Sequence, residues 1–357
     1  MSVVEHLAVI ATAVAVTWLA TPLVRLMGLR WGIVARAGGR HLHQGAVPRT
    51  GGLALFAGVA AALMLRLLGE HLWGWSPAVT ELERPVLGVL AGLAVMFGVG
   101  LLDDLVDLRP SQKLAGQLAA AGIAYAAGVR IDFVGDPFGG GLILLGVLSL
   151  PVTLFWMVGF ANVINLIDGL DGLAAGVTAI AGVTLLLLAL QSNQAAAAVL
   201  AAALVGACIG FLRFNFNPAS IFMGDSGALF LGFALACISL LGVMKSVAAI
   251  TLVVPLLVIG VPVFDTFAAI VRRRRQGRPI QEADAGHIHH RLLGRGFDQR
   301  QTVLIIYIWS IALAVGGYAM RWVPSVYKIA TLAVLGALSG LMAYWLGLFE
   351  AAHHEDE

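Results

Sequence analysis

The chain has 357 residues, of which 60% are hydrophobic and 12% are charged, and its mean hydropathy is +0.92. This composition excludes a soluble globular domain and predicts an integral membrane protein. The formal net charge is +2, and we expect no nucleic-acid partner. Cys208 and Cys237 fall inside apolar segments, where packing is the usual role of a cysteine.

Apolar segments long enough to cross a bilayer, about 20 residues each, recur along the chain. They predict an all-α integral membrane protein with about eleven transmembrane helices, organised as a single polytopic domain of residues 1–357. The first segment has no basic residue ahead of it and is predicted to be an uncleaved helix. The predicted segments are residues 4–28, 51–69, 85–103, 113–130, 142–162, 172–191, 195–213, 227–243, 247–271, 302–320 and 327–349.

Lys and Arg residues are concentrated in one set of loops, which holds sixteen of the 22. Because positively charged loops stay cytoplasmic, this bias predicts a multi-pass protein of the plasma (inner) membrane with its N-terminus outside and its C-terminus inside. The cytoplasmic loops are then residues 29–50, 104–112, 163–171, 214–226 and 272–301. On the opposite side, the sequence "GDPFGGG" predicts a Gly-rich turn or a small hairpin.

Five polar motifs fall on the predicted cytoplasmic side, so we expect an active site on that face. They are "RHLHQGAVPRTGG" (40–52), "DDLVD" (103–107), "NVINLIDGLDG" (162–172), "RFNFNPASIFMGDSGAL" (213–229) and "DAGHIHHRLL" (284–293).

The acids Asp103, Asp104 and Asp107 end an apolar helix, and helical spacing places them on one face. A helix dipole disfavours negative charge at a C-terminal end. A bound cation or a nearby Lys or Arg would compensate these acids, and a solvated helix end is the alternative interpretation.

The next two motifs also place oxygen-bearing side chains at helix ends. The first contains four such side chains at intervals of three residues, Asn162, Asn165, Asp168 and Asp171. They are interpreted either as helix caps or as ligands, and their spacing excludes an EF-hand calcium loop. In the second, Asp225 is either a plain N-cap or a functional acid. Phe222 lies beside it and offers an aromatic face.

The last motif combines three histidines with an arginine: His287, His289, His290 and Arg291. Zinc is disfavoured because no cysteine is near and no closed ligand set is evident. A cationic cradle for phosphates explains His and Arg together. Since Asp and Asn oxygens suit magnesium, which bridges carboxylates and phosphates, the motifs together predict phosphoryl transfer.

In this order, "PRTGG", "DDLVD", "NVINLIDGLDG", "FMGDSG" and "HIHHRLL" resemble the motifs of the polyprenyl-phosphate N-acetylhexosamine-1-phosphate transferase family, in its undecaprenyl-phosphate GlcNAc-1-phosphate branch. The resemblance covers almost the whole chain. It implies that a membrane polyprenyl phosphate attacks the β-phosphorus of a UDP-N-acetylhexosamine, giving polyprenyl-diphospho-sugar and UMP at the first membrane step of a cell-surface glycan pathway. It also implies dependence on Mg²⁺ or Mn²⁺.

The resemblance also implies roles for individual residues. Asn165 and Asp225 correspond to metal ligands, and Asp103 and Asp104 to the acid pair that binds or deprotonates the lipid phosphate. Asp168 and Asp171 are placed near the nucleotide and counted with the catalytic acids. The substrate-binding set is Asp107, Lys113, Asn162, Phe222 (stacking on uracil), His287, His289, His290 and Arg291.

Several alternatives remain open. Part of the family carries lysines before "PRTGG", whereas this chain has "RHLHQGAVP", a departure that argues against nucleotide contacts from His41 or His43. The interrupted histidines favour UDP-N-acetylglucosamine, with its galacto epimer open, over a muramyl-pentapeptide donor of the same family. An intramembrane aromatic prenyltransferase and a proton-coupled transporter are less favoured; the transporter would rest on Asp265, whose plainer partners are nearby arginines. Whether the chain forms a homodimer is also open.

Overall fold

The computed structural model describes residues 2–34, 46–77, 84–135, 141–243, 253–275, 287–320 and 322–346. Within these ranges the chain forms thirteen α-helices, one two-stranded hairpin and a short 3-10 turn at Gly146–Leu148. The elements are α1 (Val3–Trp31), α2 (Gly51–Leu72), α3 (Arg84–Val106), α4 (Pro110–Ala126), β1 (Phe133–Gly135), β2 (Leu142–Leu144), α5 (Ser149–Ile167), α6 (Leu173–Gln191), α7 (Ala195–Asn215), α8 (Gly224–Val243), α9 (Val253–Val258), α10 (Gly260–Arg275), α11 (Ile288–Gly294), α12 (Gln299–Ala319) and α13 (Ser325–Trp345).

The prediction of an all-α integral membrane protein is confirmed. By length and composition, nine of the described helices could cross a membrane, namely α1, α2, α3, α5, α6, α7, α8, α12 and α13. Helix α4 has only 17 residues. The predicted segment 247–271 corresponds to α9 and most of α10, which continues to Arg275, and its first residues lie outside the described part. The count of eleven spanning helices and their orientation stay predictions.

Helices α7 and α8 lie at the centre of the bundle. Of the most apolar stretch of α8, 89% is buried inside the protein, against 11% for α13. Helix α7 contacts α1, α2, α6 and α8, and its fully buried face is built largely of alanines such as Ala202 and Ala203. Small side chains let helix backbones approach closely, which is how helices associate in lipid.

The residues on both sides of the Gly-rich sequence "GDPFGGG" form a small hairpin, as the sequence predicts. Strands β1 and β2 are antiparallel, and Phe133, Val134 and Gly135 pair with Leu144, Ile143 and Leu142. Residues 136–140 of the connection lie outside the described residues.

The polar motifs converge at one end of the bundle, where α3 and α5 end and α8 begins; we call this the polar end. A glycine makes the convergence possible. A Cβ atom on Gly100 of α3 would lie 2.5 Å from the carbonyl oxygen of Asp225 and 2.5 Å from Cα of Ser226, too close for any side chain. The backbones of α3 and α8 are therefore in contact at the site.

Candidate active site

Asp104 caps the N-terminus of α8 from a distant part of the chain. Its Oδ1 atom accepts a hydrogen bond from the backbone N–H of Asp225 at 2.8 Å, and its Oδ2 atom accepts one from Ser226 at 2.9 Å. The first N–H groups of a helix have no partner within the helix, and a carboxylate there is also favoured by the helix dipole. Asp104 therefore holds α8 against α3, a positioning role that its local sequence does not predict.

Lys113 lies between two of the candidate acids. Its ammonium nitrogen is 3.0 Å from Oδ2 of Asp103 and also forms an ion pair with Asp225. The family resemblance implies a substrate-binding role for Lys113. The structure instead shows the compensating cation that the acids at the end of α3 require.

Asn165 and Asp225 are adjacent, as their implied role as metal ligands requires. The Asn165 amide nitrogen donates to Oδ1 of Asp225 at 2.9 Å, so the amide oxygen is the atom that could turn to a cation. The described residues hold no group of three or more His, Cys, Asp or Glu side chains arranged around a metal position. Magnesium does not need one, because it is usually held by one or two carboxylates together with substrate phosphates and water. The donor set therefore fits magnesium.

Asn162 is turned away from this cluster. Its amide nitrogen donates to Oε1 of Gln117 at 2.7 Å and to the Val158 carbonyl at 2.8 Å, and its amide oxygen accepts from Gln117 at 3.3 Å. Both polar atoms are thus used in joining α5 to α4. This pairing argues against the predicted substrate contact of Asn162.

Asp107 does not share a helical face with the other two acids. Helix α3 ends at Val106, and Asp107 has a φ of 50°, which turns the chain away from the helix. The side chain of Asp107 is exposed, whereas those of Asp103 and Asp104 are half-buried. The prediction that three carboxylates crowd one face is therefore wrong for Asp107, because helical spacing stops one residue before it.

Asp168 follows the last residue of α5 and lies in a strongly negative environment. Burial, together with repulsion from Asp225, Asp104 and Asp171, raises the pKa of the Asp168 carboxyl to about 8. Without a cation nearby, Asp168 therefore holds its proton at neutral pH. A cation bound beside Asp225 would oppose this shift and favour the charged carboxylate.

Asp171 organises the loop that precedes α8. Its buried carboxylate accepts hydrogen bonds from the Ala219 N–H at 2.9 Å and from the Asn217 amide at 3.0 Å. At the end of α7, Asn215 accepts from the Gly172 N–H at 3.1 Å and donates to the Ile221 carbonyl at 3.0 Å. These contacts give Asp171 a structural role beside its predicted catalytic one.

Phe222 is largely buried, with 8% of its surface exposed, and packs with Val47 and Ala219 in a small cluster apart from the main core. Its backbone N–H donates to the Pro48 carbonyl at 2.8 Å, and its carbonyl accepts from Gly51 at 2.9 Å. This segment therefore joins the start of α2 to the start of α8. The predicted stacking on uracil would have to use the small part of the ring that remains exposed.

The histidine motif forms the short helix α11, anchored by an acid that the sequence does not assign to it. Asp265 of α10 contacts Nδ1 of His287 through Oδ2 at 3.0 Å and accepts from the Ile288 N–H through Oδ1 at 2.9 Å. These two partners differ from the arginines expected for Asp265. His287 and Asp265 are both buried.

His289 connects α11 to the second motif. A Cβ atom on Gly169 would lie 3.1 Å from Nε2 of His289, so this ring packs directly against the residue after Asp168. The ring of His290 lies beside that of His289, with 4.3 Å between centroids. His290 and Arg291 are partly exposed, whereas His289 is buried. Two members of the predicted phosphate cradle are thus accessible, and the other two are built into the protein.

A cleft of about 460 Å³ opens at the polar end, beside the acids. It lies between the segment after α1 and the end of α3, and its walls include Arg49, Asp104 and Asp107. Trp31 to Val34 complete the lining together with Leu105.

A multi-pass helical membrane protein with an acidic, lysine-bridged cluster next to an arginine- and histidine-lined surface has the features of a membrane phosphotransferase. Comparison with known proteins gives the family. The model of glycosyl transferase family 4 matches residues 86–243, the part of the chain that contains Asp103, Asn165 and Asp225. The chain belongs to this family.

Curated relatives cover most of the chain. The probable undecaprenyl-phosphate N-acetylglucosaminyl 1-phosphate transferase of Bacillus subtilis (strain 168) is 38% identical over 301 residues, 84% of this chain and 81% of that protein. The decaprenyl-phosphate N-acetylglucosaminephosphotransferase of Mycolicibacterium smegmatis is 38% identical over 333 residues, 85% of this chain and 79% of that protein. The phospho-N-acetylmuramoyl-pentapeptide-transferase of Desulforudis audaxviator is 34% identical, over 82% of this chain and 90% of that protein.

Proposed function

We propose that this protein transfers N-acetylglucosamine 1-phosphate from UDP-N-acetylglucosamine to a polyprenyl phosphate in the plasma membrane, with its active site facing the cytoplasm and with Mg²⁺ or Mn²⁺ as cofactor. The products are polyprenyl-diphospho-N-acetylglucosamine and UMP. The observation that carries the proposal is the cluster of Asp103, Lys113, Asn165 and Asp225, in which four helices bring carboxylates, an amide and a cation together at the polar end.

The proposed reaction joins two anionic substrates. A phosphate oxygen of the lipid forms a bond to the β-phosphorus of the UDP-sugar, and the bond from that phosphorus to the bridging oxygen breaks. The bridging oxygen leaves with its electron pair on UMP. Little covalent chemistry is asked of the protein, so most of the catalysis must come from positioning and from neutralising charge.

The residues of the cluster meet these two demands in different ways. Asn165 and Asp225 would hold the metal ion, which would neutralise charge on the phosphate oxygens. Lys113 offers a fixed positive charge within 3.0 Å of Asp103, and it can exchange a carboxylate partner for a phosphate oxygen. His290 and Arg291 are partly exposed and directly follow His289, whose ring packs against Gly169 next to Asp168. This position suits a contact to the donor diphosphate.

Asp104 is a poor candidate for a covalent nucleophile. Both of its carboxylate oxygens accept N–H groups of α8, and a phosphoryl group on either oxygen would break one of these hydrogen bonds. The geometry therefore supports direct attack of the lipid phosphate over a phosphorylated Asp104.

N-acetylglucosamine is the preferred sugar for two reasons. The two relatives with the higher identity are named as N-acetylglucosamine-phosphate transferases, and the relative named for the muramyl pentapeptide is somewhat less similar. In addition, Arg291 follows the histidines on the short, anchored helix α11, and a guanidinium suits a compact sugar diphosphate.

The test is release of UMP by the purified protein from UDP-N-acetylglucosamine, UDP-N-acetylgalactosamine and UDP-N-acetylmuramyl-pentapeptide in parallel. We expect turnover only when both polyprenyl phosphate and magnesium are added, with UDP-N-acetylglucosamine as the best donor. The polyprenol without its phosphate is the matched control for the acceptor. Asp225→Asn is the control for the metal site and should abolish or severely reduce turnover while the protein stays folded.

The outcomes separate the parts of the proposal. Release of UMP without lipid phosphate would contradict the acceptor. Preferred turnover of the muramyl donor would contradict the sugar and leave the metal site intact. Near-normal activity of Asp225→Asn at limiting magnesium would contradict the ligand assignment.

A further inference from the structure

We propose that Arg49 binds a substrate phosphate in the cleft at the polar end. This substrate-positioning residue is not among the site residues predicted from the sequence. The inference rests on the proposed function. It names the chemistry that the cleft recognises, a phosphate group, whose source is either the donor diphosphate or the head of the polyprenyl phosphate.

The backbone of Arg49 is fixed on both sides. Its N–H donates to the Ile33 carbonyl at 3.1 Å, and the flanking Pro48 carbonyl accepts from the Phe222 N–H at 2.8 Å. Gly224 has a φ of 68°, and a Cβ atom there would collide with the Arg49 carbonyl oxygen. Arg49 is thus held against the residue that precedes the candidate metal ligand Asp225.

Arg49 lines the cleft. It is half-buried, and it is the one cationic residue among the described residues that line the cleft. The described part of the chain contains no hydrogen bond or ion pair to its guanidinium. Asp104, which also lines the cleft, already accepts two N–H groups of α8 and has no hydrogen bond to Arg49.

A half-buried guanidinium with no partner among the described residues is available to an anion or to water. Its planar group of N–H donors matches phosphate oxygens in pairs, which makes arginine the usual choice for phosphate recognition. The two substrates of the proposed reaction carry three phosphates between them, and these must come together next to Asp225. The Arg49 carbonyl contacts Gly224, the residue before Asp225. A phosphate in the cleft would therefore lie next to the reacting groups.

An arginine that only anchors the protein at the membrane surface would have no effect on substrate affinity. Arg25 provides the matched control, because it lies on α1, is exposed, and donates to the Ser220 carbonyl at 3.1 Å. It does not belong to the cleft lining. Arg25→Gln and Arg49→Gln remove the same charge from neighbouring positions, and Arg49→Lys keeps the charge without the planar donor group.

The experiment measures kcat and KM for each substrate with the other one saturating, together with direct binding of UDP and of a short-chain polyprenyl phosphate by calorimetry in the presence of magnesium. For Arg49→Gln we expect one KM to rise about tenfold or more, the size of a lost charge-assisted hydrogen bond. Arg49→Lys should recover part of the loss, and Arg25→Gln should keep both KM values.

The two sources of the phosphate give different results. If Arg49 binds the donor, the KM for UDP-N-acetylglucosamine rises and UDP binds more weakly; if it binds the acceptor, the lipid values change instead. The inference is overturned if the KM values and binding affinities of Arg49→Gln match those of Arg25→Gln for both substrates. A loss that appears only as a lower melting temperature also overturns it. The binding measurements need no turnover, so failure of the proposed reaction in the wild-type protein is distinguishable from failure of the Arg49 assignment.

Discussion

Replacing Asp104 should destabilise the protein, which separates a positioning role from a purely catalytic one. In Asp104→Ala both N–H groups at the start of α8 lose their acceptor. A hydrogen bond to a charged group contributes about 1.5–3 kcal/mol. The expected loss in the free energy of unfolding is therefore about 3–6 kcal/mol for alanine, and about half of that for Asp104→Asn, because asparagine keeps one acceptor oxygen.

The assay is thermal unfolding of the purified protein in one detergent, followed in parallel with UMP release. Asp107→Asn is the matched stability control, because it removes a neighbouring charge from an exposed position whose φ of 50° asparagine tolerates. We expect the melting temperature to fall in the order Asp107→Asn, Asp104→Asn, Asp104→Ala, with the last lowest. An unchanged melting temperature in Asp104→Ala together with lost turnover would refute the capping role.

Three further predictions concern the rest of the site. Lys113→Met removes the cation shared by Asp103 and Asp225 and with it the proposed phosphate contact, so kcat/KM should fall about tenfold or more at saturating magnesium; an unchanged kcat/KM at saturating magnesium would contradict this. The pKa of Asp168 is raised to about 8, so the carboxylate forms as pH rises and the apparent magnesium affinity should increase between about pH 7 and pH 9, less steeply in Asp168→Asn; parallel profiles would exclude Asp168 as the titrating group. Asp265→Ala removes the acceptor of His287 and of the Ile288 N–H, so the KM for UDP-N-acetylglucosamine should rise and stability should fall by about 1 kcal/mol; an unchanged KM would show that the anchoring of α11 does not affect donor binding.

The membrane helices could be read from the sequence because hydropathy is a local property. An apolar run of sufficient length can be identified without knowledge of its neighbours. The short hairpin after α4 was also predictable from a local signal, the glycines between its two strands. Helix ends were less predictable. The turn at Asp107 depends on a single positive φ angle, which no hydropathy pattern reports.

The partners of the site residues could not be read in this way, because they are set by how the helices pack. Asp104 is 121 residues from its partner Asp225, and Gln117 is 45 residues from Asn162. The sequence shows that each side chain is polar and lies at a helix end, but it does not show which ends meet. Gln117 carries no motif and falls inside a predicted helix. The signal that could have found it is its polarity within an apolar segment, since buried polar groups in a membrane protein need partners.

The acids at the end of α3 now have a physical explanation that joins fold and function. A helix C-terminus disfavours negative charge. Here the close approach at Gly100 holds the N-terminus of α8 beside the end of α3, and the N–H groups of α8 donate hydrogen bonds to the carboxylate of Asp104. Lys113 forms an ion pair with the other carboxylate, that of Asp103, and also with Asp225. Because the same contacts pack α3 against α8 and place Asp225, the position of the candidate metal ligand depends on the helix packing. Substitutions at Asp104 should therefore alter stability and turnover together, whereas substitutions at the candidate metal ligand Asp225 should alter turnover first.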